Sequence, residues 1–414
     1  MKFELLERLA TLPARQNLFR RDDVWINAGQ VRLAAQRLVG ELSNRSGEVV
    51  LHTTSLSAFA AGLLGARIAG MDVILPAHGG AEYLRTIGDG LPLIGDQPSQ
   101  HPDAICISIP DDALAEASVD LRSAHDLHLT FYTSGSTAEP KPVHKSIRQL
   151  DDEAEILATV WPGAPRQTVM STVPHHHIYG LLFRLFWPVR INATSHDRTY
   201  AYWETIAAQM SKGGPAALVS SPAHLGRIPG GVTCRPTLVF SSGGPLPLAA
   251  ASASSISLGT WPVEVLGSTE TGGVGWRTQQ DRNAVWQPLP EVAVSLSAAG
   301  ELQVRSPHAD GPGMCTLGDL GAMADDGRGF MLRGRVGPVV KVEGVRVSVI
   351  RVEESITALA EVAACRTLMV PGSHDRLAAV VVLAEPGRGK LAREGPFRLG
   401  RMLRHALAEQ LSAA

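Results

Sequence analysis

One short stretch constrains this chain more than any other: Thr130-Phe131-Tyr132-Thr133-Ser134-Gly135-Ser136-Thr137-Ala138-Glu139-Pro140-Lys141. The residues leading into it, Leu127 to Tyr132, read as a buried strand. The loop therefore leaves a strand end and bends at Gly135, where the missing Cβ permits positive φ and close backbone approach to an anion. Ser134, Ser136 and Thr137 can donate to phosphate oxygens, Lys141 adds a point charge, and Pro140 stiffens the loop ahead of it. That combination suits a triphosphate. A Walker loop needs G-x-x-x-x-G-K-[ST], and no such string occurs, so a P-loop kinase is a weak reading. Taken alone, a solvated Ser/Gly/Thr turn with no ligand would read the same way.

The surrounding pattern is that of a layered α/β domain. Residues 28 to 43 carry a helical period and Val49-Val50-Leu51-His52 is strand-like. Ser57 to Ala69 is a small-residue helix followed by Gly70-Met71-Asp72-Val73-Ile74-Leu75-Pro76. Strand and helix in alternation imply a parallel, doubly wound sheet. The 414 residues leave room for two or three domains, and 44% hydrophobic with 19% charged residues is ordinary for a cytosolic globular protein. A net charge of −2 leaves no electrostatic footprint for nucleic acid or anionic membrane. Cys106, Cys234, Cys315 and Cys365 lie far apart with no C-x-x-C pair, so buried thiols are expected rather than a disulfide framework or zinc site. Met1-Lys2-Phe3-Glu4 opens no apolar leader, and no stretch approaches ~18 uninterrupted apolar residues. The expectation is a cytoplasmic protein without a membrane span.

The string T-S-G-S-T-A-E-P-K resembles the phosphate loop of the adenylate-forming superfamily, which includes acyl-CoA and aryl-CoA ligases, luciferase and peptide-synthetase adenylation domains. That loop is usually T-S-G-[ST]-T-G-x-P-K-G-V. Here Ala138 and Pro142 replace two glycines, while every hydroxyl and the lysine are kept. Further family strings follow in order: Pro174-His175-His176-His177-Ile178-Tyr179-Gly180, Ser241-Ser242-Gly243-Gly244-Pro245-Leu246, and Gly267-Ser268-Thr269-Glu270-Thr271-Gly272. Then come Gly300-Glu301-Leu302-Gln303-Val304, Gly318-Asp319, and Gly334-Arg335 with Lys341-Val342-Glu343-Gly344-Val345-Arg346-Val347. The resemblance implies a large N-terminal adenylation domain of doubly wound sheets, residues 1–336. A small, mobile, apparently shortened α+β domain, residues 337–414, would follow it.

Roles carried by the resemblance follow residue by residue. Thr133, Ser134, Gly135, Ser136, Thr137 and Lys141 would hold the phosphates of ATP, and Glu270 would bind Mg²⁺. The Thr269 hydroxyl would reach both α-phosphate and substrate carboxylate. Gly243, Gly244, Leu266, Gly267 and Ser268 would lie against the nucleotide, although Leu266 stands where the family commonly stacks a tyrosine on adenine. Asp319 would accept the ribose hydroxyls, Arg335 would contact ribose or phosphate, and Lys341 belongs to the same nucleotide set. The acyl pocket would be walled by His177, Tyr179, Ser220, Ser221, Ser242, Gly243, Gly267 and Val274, the last of them small residues that leave depth for a ring or a medium-length chain. The histidine triplet is a poor zinc site, because neighbours on an extended segment point to opposite faces.

The small half departs most from the pattern. The family's hinge aspartate is Gly337 here, followed by Pro338, and Gly344 would lie beside the pantetheine tunnel. The last apolar stripe, Leu399, Met402, Leu403, Ala406, Leu407 and Leu411, resembles the helix that precedes the family's final lysine motif. That lysine, which bridges carboxylate and ATP, is not present. Lys390, one of six lysines, sits in a Pro-Gly-Arg-Gly loop and is a poor replacement. A shortened copy of the chain, a naturally short enzyme and a non-catalytic nucleotide or acyl-adenylate binder all accommodate this, and losing one oriented cation should slow adenylation on the order of 10² to 10³-fold. The reading adopted is an ATP-dependent ligase of a small carboxylic acid, an aryl acid rather than a fatty acid, with CoA or an acyl carrier protein's phosphopantetheine as acceptor. No nucleic-acid partner is expected.

Overall fold

The computed structural model describes residues 4–99, 101–111, 118–121, 126–133, 141–164, 166–309, 311, 313–325, 327–335, 339–342, 345–370 and 376–410. Packing divides the chain into one unit of residues 1–293 with 305–315 and a second of 294–304 with 316–414. The expected domain residues 337–414 are a subset of the second unit.

Two sheets build the first unit. One runs in the order Ile105–Cys106, Leu93–Gly95, Gly47–His52, Met71–Leu75, His128–Thr133, Lys141–Ser146, parallel throughout except for the last, antiparallel pair. The other places Val263–Ser268, Leu238–Ser241, Ala216–Ser220, Thr168–Ser171, Thr194–His196 and Asn17–Arg21 side by side in parallel, with antiparallel strands at both edges. Strands covered on both faces need continuous apolar runs, which Val49-Val50-Leu51, Val73-Ile74-Leu75 and Ala217-Leu218-Val219 supply, all buried. The doubly wound reading holds.

The helices begin and end where their side chains dictate. Asn27 and Gln30 form a reciprocal capping box at the start of Ala28–Leu42. Ser55 caps Leu56–Ala69, which stops at Gly70 in the left-handed region. Buried Asp197, beyond the Thr194–His196 strand, accepts the Ser57 amide at 2.7 Å and pairs with Arg21 at 2.7 Å. A carboxylate placed against that helix's N-terminus is favoured by the dipole, and it ties the helix of one sheet to a strand end of the other.

An aromatic core lies behind the second sheet. Phe183 and Phe240 stand 4.6 Å apart, and Trp161 meets Phe240 edge-on at 5.0 Å. A π-helical turn, Leu182–Phe186, interrupts the helical path from Ile178–Leu181 to Trp187–Arg190. The register slip re-aims the side chains on either side of the turn.

The second unit contains a four-stranded sheet ordered Ala293–Leu296, Glu301–Arg305, Cys315–Met323, Phe330–Arg335, then the hairpins Val339–Val342 with Val345–Ser348 and Val362–Val370 with Arg376–Leu383. Ile356, Val362, Cys365, Leu399 and Leu403 form its buried cluster. The terminal helix, Glu385–Gln410, corrects the sequence reading in one place. Pro386 to Gly389 are helical rather than a loop, and the break comes later, at Gly395 with φ 79°. Lys390 pairs with Glu361 at 2.6 Å. The cysteines need a correction too: Cys234 and Cys365 are buried, but Cys106 is exposed and Cys315 half-buried. Among the described residues no helix is long and apolar enough to cross a membrane.

A backbone constraint at the heart of the first unit is directly testable. A Cβ on buried Gly180 would clash with the Pro174 carbonyl oxygen, and neither backbone atom can move aside independently. Gly180→Ala should lower stability by about 2 kcal/mol or more, read as a fall in urea midpoint. An unchanged midpoint would show that the 174–180 turn is not held as described.

Candidate active site

A cavity of ≈ 280 Å³ opens in the first unit at the carboxyl ends of the parallel strands, where doubly wound sheets bind ligands. The His128–Thr133 strand contributes Phe131 and Tyr132, Leu238–Ser241 is followed by Ser242 and Gly243, and Val263–Ser268 contributes Val265, Gly267 and Ser268. His176, His177, Ile178, Tyr179, Leu182 and Phe183 close another side. Thr269, Gly272, Gly273 and Glu153 complete the lining near the hairpin turn.

That hairpin joins Val263–Ser268 to Gly272–Thr278 through Thr269-Glu270-Thr271. Ser268 Oγ accepts the Thr271 amide at 3.2 Å, closing the turn, and Gly272 returns the chain at φ 69°. A Cβ at position 267 would fall 2.6 Å from the Gly272 carbonyl oxygen, so Gly267 is required by the strand approach itself. Beneath the turn lies Lys145, 1% exposed, whose Nζ donates to the Glu270 carbonyl at 2.8 Å and to the His308 carbonyl. The Glu270 backbone is thus pinned while its side chain stays exposed.

Glu153 supports the same hairpin from the Ile147–Val160 helix. It is 2% exposed, and its Oε1 accepts the Gly273 amide at 2.7 Å. Burial raises its pKa from 4.5 to about 7, against the lowering effects of the Gly273 amide and the Lys145 charge. Neither Glu153 nor Lys145 was singled out from the sequence. Glu153 falls three residues after Leu150 and four before Leu157, on the apolar face of its helix, and a carboxylate there was the available signal.

The three histidines divide their work. His175 is buried, with Arg184 Nη1 3.3 Å from its Nδ1 and Thr53 Oγ1 3.3 Å from its Nε2. Arg184 can only donate, so Nδ1 accepts and the ring is neutral, as its pKa, pushed well below 6.5 by burial first and Arg184 second, requires. His176 is lowered to about 3 by desolvation and then by His177. His177 is itself lowered by desolvation, and both rings line the cavity. Neutral imidazoles serve here as hydrogen-bonding walls, and among the described residues no cluster of three His, Cys, Asp or Glu suits a metal.

Of the pocket residues expected from the sequence, His177, Tyr179, Ser242, Gly243 and Gly267 line the cavity. The others do not line it. Ser220 bonds Thr172 through its hydroxyl at 2.9 Å and receives the Tyr179 hydroxyl on its carbonyl at 3.1 Å. Ser221 caps the Pro222–Leu225 turn, and Val274 is fully buried one residue past Gly273. Of the nucleotide residues, Ser268 and Thr269 reach the cavity, while half-buried Leu266 and exposed Gly244 do not line it. Residues 134–140, which include Ser134, Gly135, Ser136 and Thr137, lie outside the described residues, as do Gly337, Pro338 and Gly344. Thr133 ends its strand opposite Lys141, which is exposed. In the second unit, buried Asp319 is paired in register with Arg335, and Lys341 with Arg346.

The Glu153 titration has a definite sign. Between 4.5 and about 7 the folded protein keeps a proton that the unfolded chain has released, so stability falls as pH rises through that window. Glu153→Gln should flatten this slope, the variant losing up to about 3 kcal/mol less than wild type between about pH 4.5 and 8 in urea titrations. Parallel slopes would show that Glu153 does not titrate there.

Residues 47–313 match the family model for AMP-binding enzymes. The chain is 30% identical over 286 residues to a 4-coumarate–CoA ligase of Halorhodospira halophila, covering 66% of this chain and 67% of that protein. A second 4-coumarate–CoA ligase, from Cereibacter sphaeroides, is 31% identical over 263 residues, 62% of this chain and 59% of its own length. The alignments thus span about three fifths to two thirds of these relatives. In three dimensions the chain superposes on the anthranilate CoA ligase AuaEII in complex with anthranoyl-AMP with a TM-score of 0.74 at 18% identity, over 100% of this chain and 92% of the other. The ordered motifs, the two wound sheets and the matched residues agree, and the chain belongs to the AMP-binding enzyme family, the adenylate-forming superfamily.

Proposed function

We propose that the protein is an ATP-dependent ligase of a small aryl acid. The substrate carboxylate oxygen attacks the α-phosphorus of ATP, pyrophosphate leaves, and a thiol of CoA or of a carrier protein's phosphopantetheine then takes the acyl group and releases AMP. The observation that carries this reading is the convergence of His177, Tyr179, Ser242, Gly243, Gly267, Ser268 and Thr269, from separate sequence motifs, around one cavity.

The acid's carboxylate would lie near Thr269 and His177, with its ring against Phe131, Tyr179 and Phe183. A cavity at the small end of the usual ligand range favours a ring over a long chain. The 4-coumarate named for the relatives is an acid of that class. Residues 133–137 and Lys141 would cradle the phosphates, with Gly243, Gly244, Leu266, Gly267 and Ser268 against the adenosine. Asp319, Arg335 and Lys341 would serve the ribose and phosphates, and Gly337 would be the hinge between residues 1–336 and 337–414. Glu270 suits Mg²⁺ carried in with ATP, since this hard ion asks for one or two carboxylates beside phosphate oxygens, and Glu270 presents an exposed side chain on a pinned backbone. When bound, the ion neutralises phosphate charge. The reading places the protein in the cytoplasm.

Acid-dependent formation of AMP and pyrophosphate over aryl, short-chain and long-chain acids, with and without CoA, tests the reading. Aryl acids should be preferred, and Thr269→Ala, Glu270→Ala and Lys141→Ala should each lower turnover by about 10²-fold or more. Unchanged turnover in these variants, ADP in place of AMP, or a long-chain preference would contradict it. Binding of ATP without turnover of any acid would identify a binder instead.

A further inference from the structure

We propose that Glu153 is a specificity-determining residue that receives a hydrogen bond from a phenolic hydroxyl on the ring of the acid substrate. The inference rests on the ligase reading above and deepens it, naming a hydroxylated aryl acid as the substrate class.

Two hydroxyls of the cavity wall are already committed. Ser242 Oγ donates to the Val265 carbonyl at 2.8 Å, and the Tyr179 hydroxyl donates to the Ser220 carbonyl at 3.1 Å. Both protons are used. Glu153 is 2% exposed and lines the same cavity, yet only one of its two oxygens is engaged, Oε1 by the Gly273 amide. Oε2 takes no hydrogen bond from the described residues and is not among the unpartnered side-chain atoms sealed from solvent. A carboxylate oxygen this deep in a protein is costly without a donor, so its remaining valence is directed at whatever fills the cavity.

The neighbouring backbone keeps that oxygen clear. A Cβ at position 272 would lie 2.6 Å from Oε2, and one at position 273 would lie 3.1 Å from Oε1. Two consecutive glycines thus leave room for the carboxylate beside the hairpin that carries Thr269 and Glu270. Oε1 already accepts an amide, and once Glu153 is ionised Oε2 too can only accept, so the partner of the ionised form must donate. The positive charge of Lys145 already acts on Glu153, which favours a neutral donor over a second cation. A hydroxyl on an aromatic ring meets both conditions and matches the Phe131, Tyr179 and Phe183 surroundings.

The experiment compares acid pairs that differ by one hydroxyl, 4-coumarate with cinnamate and 3- or 4-hydroxybenzoate with benzoate, on the full chain. Wild type should favour the hydroxylated member of at least one pair by about tenfold or more in kcat/KM. Glu153→Leu should erase that ratio, slowing both acids through the lost Gly273 anchor but the hydroxylated acid about tenfold more. Glu153→Gln, which preserves shape and covers the case in which the leucine variant fails to fold, should give an intermediate ratio. A residue that only props up Gly273 would slow both acids equally and leave the ratio untouched, and that result overturns the proposal. So does a wild type indifferent to the hydroxyl. Calorimetric binding of the same pairs reads the preference without turnover, so a failure of the ligase reading is distinguishable from a failure of the role given to Glu153.

Discussion

A lysine ammonium with almost no access to water holds the hairpin turn beside the cavity in place. Lys145 reaches the carbonyls of Glu270 and His308 from below, drawing the Thr269-Glu270-Thr271 turn and the residue 305–315 segment onto the end of the Lys141–Ser146 strand. Burying an ammonium costs several kcal/mol unless its donors are met, so the carbonyls cannot drift from it without exposing that cost. Glu153 adds a second fixed point through the Gly273 amide. Between them the hairpin is held at its turn and at its second strand, and Thr269 and Glu270 sit on a backbone that has little freedom left. Preorganisation of this kind is what an adenylating site needs, because the charge to be stabilised develops on the α-phosphate only as the carboxylate attacks.

The same economy shapes the pocket wall. The 174–180 turn packs so closely that Gly180 admits no Cβ, which sends His175 inward to Arg184 and Thr53 and leaves His176 and His177 on the cavity. A neutral buried histidine, fixed by an arginine that can only donate, makes a rigid support for the two neutral rings that line the cavity.

Much of this was legible in the residues. Parallel sheets require uninterrupted apolar strands, and Val49-Val50-Leu51 and Val73-Ile74-Leu75 announce them. Local chemistry likewise marks the Asn27 and Ser55 caps and the Gly70 stop. The cavity residues His177, Tyr179, Ser242, Gly243 and Gly267 were readable because they sit within family strings. Ser220, Ser221 and Val274 are committed elsewhere by packing: Ser220 to Thr172 and Tyr179, Ser221 to the cap of Pro222–Leu225, and Val274 to the buried core. Lys145 and Glu153 escaped notice because their roles depend on what tertiary packing places opposite them, a hairpin more than a hundred residues later. The helical Pro386–Gly389 segment was misread for a related reason. Proline is tolerated in a first helical turn, and Gly387 is required by the Glu361 backbone packed against it.

In the proposed reaction a carboxylate oxygen of the substrate becomes bonded to the α-phosphorus of ATP. Turnover of an aryl acid labelled with ¹⁸O in its carboxylate, followed by mass spectrometry of the nucleotide product, tests this most directly. The account predicts AMP carrying one ¹⁸O after thiol transfer. Unlabelled AMP, or label in inorganic phosphate beside ADP, would contradict it.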